Sequence, residues 1–240
     1  EGVLRHRIPP VLFRPDAGAA LQGPLHLRAR VLEAGTLAPV LKLASKLFAP
    51  TVVIVLGSLF LVLDVVVGLE FWRHGVESAP QASFIAAAAL VIAGVAAHEI
   101  GHLSACHRFG AAHGGIGVGM YWGLPVFYAE VHGAWLLSRR QRSVVDIGGI
   151  YFQCLFLLAL AALWLVHPSG TLLIALWASH FLVLNTLNPV LKYDGYWLLS
   201  DLSGSYNLHQ RVRDSARRCW RALWRMPGTV WPARRDCLLL

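Results

Sequence analysis

Four stretches of almost unbroken apolar residues divide the chain: 51–69, 84–106, 144–166 and 171–188, the last running on past Pro189. About 20 apolar residues span a bilayer as a helix, so each stretch predicts a crossing. Residues 1–46 are mixed, and Pro9, Pro10, Pro15, Pro24 and Pro39 break any long helix there. Over 39–50, Leu41, Leu43, Leu47 and Phe48 stand against Lys42 and Lys46, which predicts a short amphipathic helix lying on the membrane. Between the second and third crossings, residues 114–128 are apolar and aromatic, but their glycines and Pro125 oppose a spanning helix. The stretch reads as a short hairpin dipping into the interface. Backbone at that depth is tolerated only against protein or a wet cavity, so a cavity is expected beside it.

These elements predict an all-α polytopic membrane protein of about four transmembrane helices with a re-entrant hairpin. It divides into an N-terminal segment with an interfacial helix (1–46), a transmembrane core (47–202) and a basic tail (203–240).

Composition sharpens this picture. Of 240 residues, 56% are hydrophobic and 14% charged, against about 25% charged in soluble domains. A large soluble enzyme and a disordered chain are excluded. The net charge of +8 is unevenly spread: seven Lys/Arg in 1–46, one in 70–83, four in 103–142, none in 167–170 and eight in 201–240. Basic and bare segments alternate, as four crossings with both termini in the cytoplasm require. The tail, with Trp220, Trp224 and Trp231 among its arginines, reads as an amphipathic segment against anionic lipid rather than a nucleic-acid binder. The first forty residues hold no apolar core of a signal peptide. Cys106, Cys154, Cys219 and Cys237 form no C-x-x-C pair, so neither a disulfide framework nor a cysteine zinc site is expected.

The chemistry lies in His98-Glu99-Ile100-Gly101-His102. On a helix, positions i and i+4 share a face about 6 Å apart, so two imidazoles can hold one Zn²⁺. Glu99 between them can hold the metal-bound water and take its proton. The alternative is a pair of histidines merely satisfied inside the bundle. Such groups are expensive in lipid and usually mark function.

A catalytic zinc needs a third protein ligand and an open position. Besides Glu99, the crossings offer Asp64, Asp146 and Asp194. Asp64 sits toward the opposite end in depth and reads as a polar contact. Asp146 opens the third crossing, where it faces water or pairs with Arg142. Asp194 follows Pro189, which disrupts the fourth helix and lets backbone line a cavity at the depth of the histidines; its alternative role is an interfacial partner for Lys192. The favoured ligand set is therefore His98, His102 and Asp194. His180 reads as a buried hydrogen-bonded histidine, and His107, His113 and His132 as interfacial polar residues.

The H-E-I-G-H helix, followed by Asn185-Thr-Leu-Asn-Pro-Val-Leu-Lys-Tyr-Asp-Gly195, resembles the site-2 protease family of intramembrane zinc metalloproteases. The bacterial members described as peptide zinc metalloproteases look most similar, over about residues 84–202. The resemblance implies one Zn²⁺ per chain on His98, His102 and Asp194, Glu99 as general base, and a re-entrant hairpin after the motif helix. The family often carries Gly-Pro-x-x-Asn in the next crossing. Here the stretch is Gly148-Gly-Ile-Tyr-Phe-Gln153, without the proline and with Gln153 in the amide position.

The expected function is a zinc-dependent intramembrane endopeptidase of a bacterial inner membrane, its site toward the cytoplasm. Its expected partners are membrane lipid and a substrate that is a peptide, a precursor or a single-span protein; nucleic acid is not expected. Asn185, Asn188 or Gln153 is expected to steady the oxyanion. A hairpin edge including Gly117, Gly119, Tyr121 and Trp122 is expected either to hold an extended substrate by strand addition or to anchor in the interface. A membrane di-iron oxygenase would need several histidine clusters, and only one is present. An inactive zinc-bearing scaffold would need no Glu99.

Overall fold

The computed structural model describes residues 25–74, 83–121, 123–204 and scattered positions between 210 and 220. The proline-broken start and Trp224, Trp231 and Cys237 lie outside these residues, as does Trp122.

The apolar stretches form helices. After a strand, β1 (Leu25–Leu32), and a short helix, α1 (Ala34–Ala44), come α2 (Pro50–His74) and α3 (Phe84–Arg108). A hairpin of β2 (Ile116–Tyr121) and β3 (Leu124–Ala129) follows, then α4 (Arg139–Val166), α5 (Gly170–Thr186) and α6 (Asp194–Ser203). The protein is mostly helical. Serines set the helix starts. Ser83 Oγ accepts from Ala86 N and Ser169 Oγ from Leu172 N, while Ser138 and Gln141 form a capping box at α4, satisfying amides that have no partner inside the helix.

Three helices, α2, α3 and α4, are long and apolar enough to cross a membrane. The fourth expected crossing, α5, has 17 residues, or about 26 Å, somewhat short of a roughly 30 Å hydrocarbon layer. It ends at Thr186 because Asn188 and Pro189 follow. None of the most apolar window of α2 is buried inside the protein, against 28% for α3 and 44% for α4. The outermost helix is thus α2 and the central one α4, which packs on α2, α3, α5 and α6.

Backbones meet where α3 crosses α4. A Cβ at Gly101 would collide with the Gly148 carbonyl, so only glycine permits this approach. The Ser83 amide donates to Thr171 Oγ1 at 2.9 Å and ties the start of α3 to that of α5. An apolar core of Leu157, Leu160, Trp164, Leu172 and Leu176 fills the space between helices at that end.

The hairpin expected at 114–128 forms as part of a three-stranded antiparallel sheet in the order β1-β2-β3. The first strand, which the sequence reading of 1–46 did not include, lies ahead of the expected helix. Arg30 in β1 pairs with both carboxylate oxygens of Glu130 at 2.9 Å, and that carboxylate raises the arginine above its ordinary pKa. The expected amphipathic helix forms as α1 followed by a 3₁₀ turn at Ser45–Phe48. Leu41 and Phe48 are buried against the protein, with Leu41 packed beside Leu103, whereas Leu43 is exposed. This helix therefore docks on α3 as well as presenting an outer face.

Candidate metal centre

His98 and His102 lie one turn apart on α3, and both are buried. Their Nε2 atoms are 3.1 Å apart. Asp194 opens α6, after the Leu187–Tyr193 segment turns the chain back on itself. Gly195 makes that turn possible, since a Cβ there would strike the Leu187 carbonyl. Asp194 Oδ2 is 2.9 Å from His98 Nε2 and 3.2 Å from His102 Nε2. Three ligand atoms thus form a nearly equilateral triangle. Four ligands at about 2.05 Å around a tetrahedral zinc would be about 3.3 Å apart.

The protons are directed elsewhere. His102 Nδ1 donates to the Val145 carbonyl at 2.8 Å, and His98 Nδ1 faces Gln153 Oε1 at 3.2 Å. Each contact holds the proton on Nδ1 and leaves a lone pair on Nε2. Two lone pairs and a carboxylate oxygen then face one point. Asp194 Oδ2 is buried and accepts no hydrogen bond of proper geometry. A Cβ at Gly149 on α4 would strike both Nε2 atoms, so this glycine keeps the far side of the triangle open. Two nitrogens and one oxygen, an orphaned carboxylate oxygen and a cradle a methyl group would fill together fit a Zn²⁺ ion.

Glu99, 8% exposed, lines a cavity of about 610 Å³ together with both histidines and Asp194. Phe127, Tyr128 and Ala129 of β3 form one wall of it. The outer edge of β3 is unpaired among the described residues, because β2 takes its inner edge. The rim carries Trp135, Trp197 and Arg142; the two indoles meet edge-on at 5.8 Å, and Arg142 lies over Trp135.

The other expected site residues fall in different places. Gln153 reaches the site, but its side chain contacts His98 rather than the cavity. Asn188 accepts from Val190 N in its own loop, and neither it nor Asn185 lines the cavity. Gly117 and Gly119 lie on β2, the central strand, where both edges are occupied; Gly117 makes room for the ring of Tyr128. Tyr121 ends β2, and Trp122 is outside the described residues. Asp146 lines the cavity, and Arg142 beside it donates to Asp201. Asp64 is a polar contact, to His180.

Several features of the site escaped the sequence reading: the role of Gly149, the Val145 carbonyl, the Arg142–Asp201 pair and the place of Asp146 on the cavity wall. A signal existed for part of it. Arg142, Asp146, Gly149 and Gln153 are spaced by 4, 3 and 4 residues, one face of a helix that is mostly apolar after Ser143.

Compared with known proteins, the chain is 26% identical over 110 residues to the Bacillus subtilis (strain 168) protein named "Putative peptide zinc metalloprotease protein YydH". The match covers 45% of this chain and 44% of that protein, so the chain spans less than half the length of the relative it matches. No protein-family model matches the chain, and no solved structure does. The likeness supports a distant relationship to a zinc metalloprotease.

Proposed function

We propose that this protein is a zinc-dependent intramembrane endopeptidase of the site-2 protease kind, acting on a membrane-associated peptide, a precursor or a single-span protein. The observation that carries this is the meeting of His98 Nε2, His102 Nε2 and Asp194 Oδ2 beside the buried Glu99.

His98, His102 and Asp194 would hold Zn²⁺, which would supply Lewis-acid polarisation of the scissile carbonyl and of the attacking water. Glu99 accepts one proton from the attacking water and delivers it to the amine as the C–N bond breaks, and the proton left on the new carboxylic acid then passes to the amine, giving a carboxylate and an ammonium group. Gln153 and the Val145 carbonyl hold the two imidazoles in their tautomers. The free edge of β3 suits an extended substrate held by backbone hydrogen bonds, with its carbonyl toward the cavity. The Lys/Arg distribution favours an inner-membrane location with the site toward the cytoplasm.

Glu99→Gln tests this reading. Zinc content should stay near one per chain, while cleavage of a fluorogenic single-span peptide panel in proteoliposomes falls by about 10²–10⁴-fold, the range of general acid–base contributions. Undiminished turnover in the variant would contradict it.

A further inference from the structure

Four residues of α4 make a stripe toward α3 and the cavity, and three have an evident task. Arg142 donates three hydrogen bonds to Asp201 at 2.7–3.0 Å. Gly149 leaves room for the two imidazoles. Gln153 steadies His98. The fourth, Asp146, lines the cavity, and its Oδ2 is buried without a hydrogen-bond partner.

A buried carboxylate oxygen without a hydrogen-bond partner is costly and calls for one. Asp146 lies one turn from Gly149, about 4.5 Å along the helix axis, and so beside the ligand pair. Two cationic side chains, Arg142 and Lys192, line the same cavity, yet neither donates a hydrogen bond to Asp146 Oδ2. Glu99 and Asp194 are further acceptors. Phe127, Trp135 and Trp197 keep the local dielectric low, which strengthens any charge pair formed inside.

We infer that Asp146 is a recognition carboxylate for a cationic group of the bound peptide, either the side chain of a Lys or Arg beside the scissile bond or a free α-amine. The inference rests on the metalloprotease reading above. It also suits a substrate leaving the membrane on the basic side, since such chains carry Lys or Arg at that boundary.

Three hydroxamates, which ligate zinc through a common head, test it by equilibrium binding to the zinc-loaded full chain in detergent: N-acetyl-lysine hydroxamate, N-acetyl-norleucine hydroxamate and norleucine hydroxamate with its amine free. One of the two cationic probes should bind about 10-fold more tightly than N-acetyl-norleucine hydroxamate, and which one identifies side chain or α-amine. Asp146→Asn should erase that preference while leaving the neutral probe's affinity unchanged, which also reports that the variant folds. Asp146→Glu should keep the preference. Equal binding of all three probes by the wild type, or a preference that survives Asp146→Asn, overturns the assignment. Failure of every probe to bind the zinc-loaded wild type overturns the metal reading itself, and the assignment with it.

Discussion

Among the described residues, histidine meets aspartate at two places in the helical bundle, and only one has the makings of a metal centre. At His180, Nε2 is 2.8 Å from Asp64 Oδ1 and Nδ1 is 2.8 Å from the Leu176 carbonyl. Each ring nitrogen meets a single acceptor, and one imidazole faces one carboxylate. At His98 and His102 both Nδ1 protons are engaged, and two Nε2 lone pairs meet one carboxylate oxygen. There, protons do not complete the geometry, but a cation does. Proximity of histidine and aspartate is thus a weak sign of a site. The number of lone pairs aimed at one point is the informative quantity.

The contrast can be broken most severely at the aspartates. Asp194→Ala removes a ligand and should weaken zinc retention well beyond the 10–100-fold typical of changes around a metal site. Asp64→Ala should leave zinc content at the wild-type level, as metal analysis of the two purified variants would reveal. A smaller but still large effect is expected from Gly149→Ala, whose Cβ occupies the space of both Nε2 atoms. Zinc titration should show most of the affinity gone while circular dichroism still reports a helical protein. Gln153→Ala frees His98 to rotate, and about a 10–100-fold loss of zinc affinity follows from its position next to the ligand. Smallest of all, Asp64→Asn should lower stability in a detergent unfolding titration by about 0.6 kcal/mol, the average for side-chain hydrogen bonds between membrane helices.

Much of this was legible in the sequence, for definable physical reasons. The i, i+4 histidines require nothing beyond helical periodicity, and Asp194 was findable because Pro189 marks where the fourth helix must stop. What escaped depends on partners distant in sequence. The alternation Leu25, Leu27, Ala29, Val31 is a strand signal in hindsight, but β1 forms by pairing with residues about ninety positions later. Gln153 stands in the amide position that the family resemblance points to, yet its contact with His98 depends on the close approach of α3 and α4 at Gly101 and Gly148. The same approach makes Gly149 part of the centre. A residue without a side chain announces no chemistry of its own, and its role appears only when the opposing helix is in place. Gly117 and Gly119 illustrate the reverse error. Their composition suggests an accessible strand, but a central strand has no free edge, and β3 carries the one beside the cavity.

The central claim, that three residues converge to hold one zinc, is tested most directly by zinc K-edge absorption on the detergent-purified wild type beside Asp194→Ala. One zinc per chain in a shell of nitrogen and oxygen at about 2.0–2.2 Å, lost or altered in the variant, is the predicted result. A shell containing sulfur near 2.3 Å, or a spectrum and zinc content identical in both proteins, would contradict it.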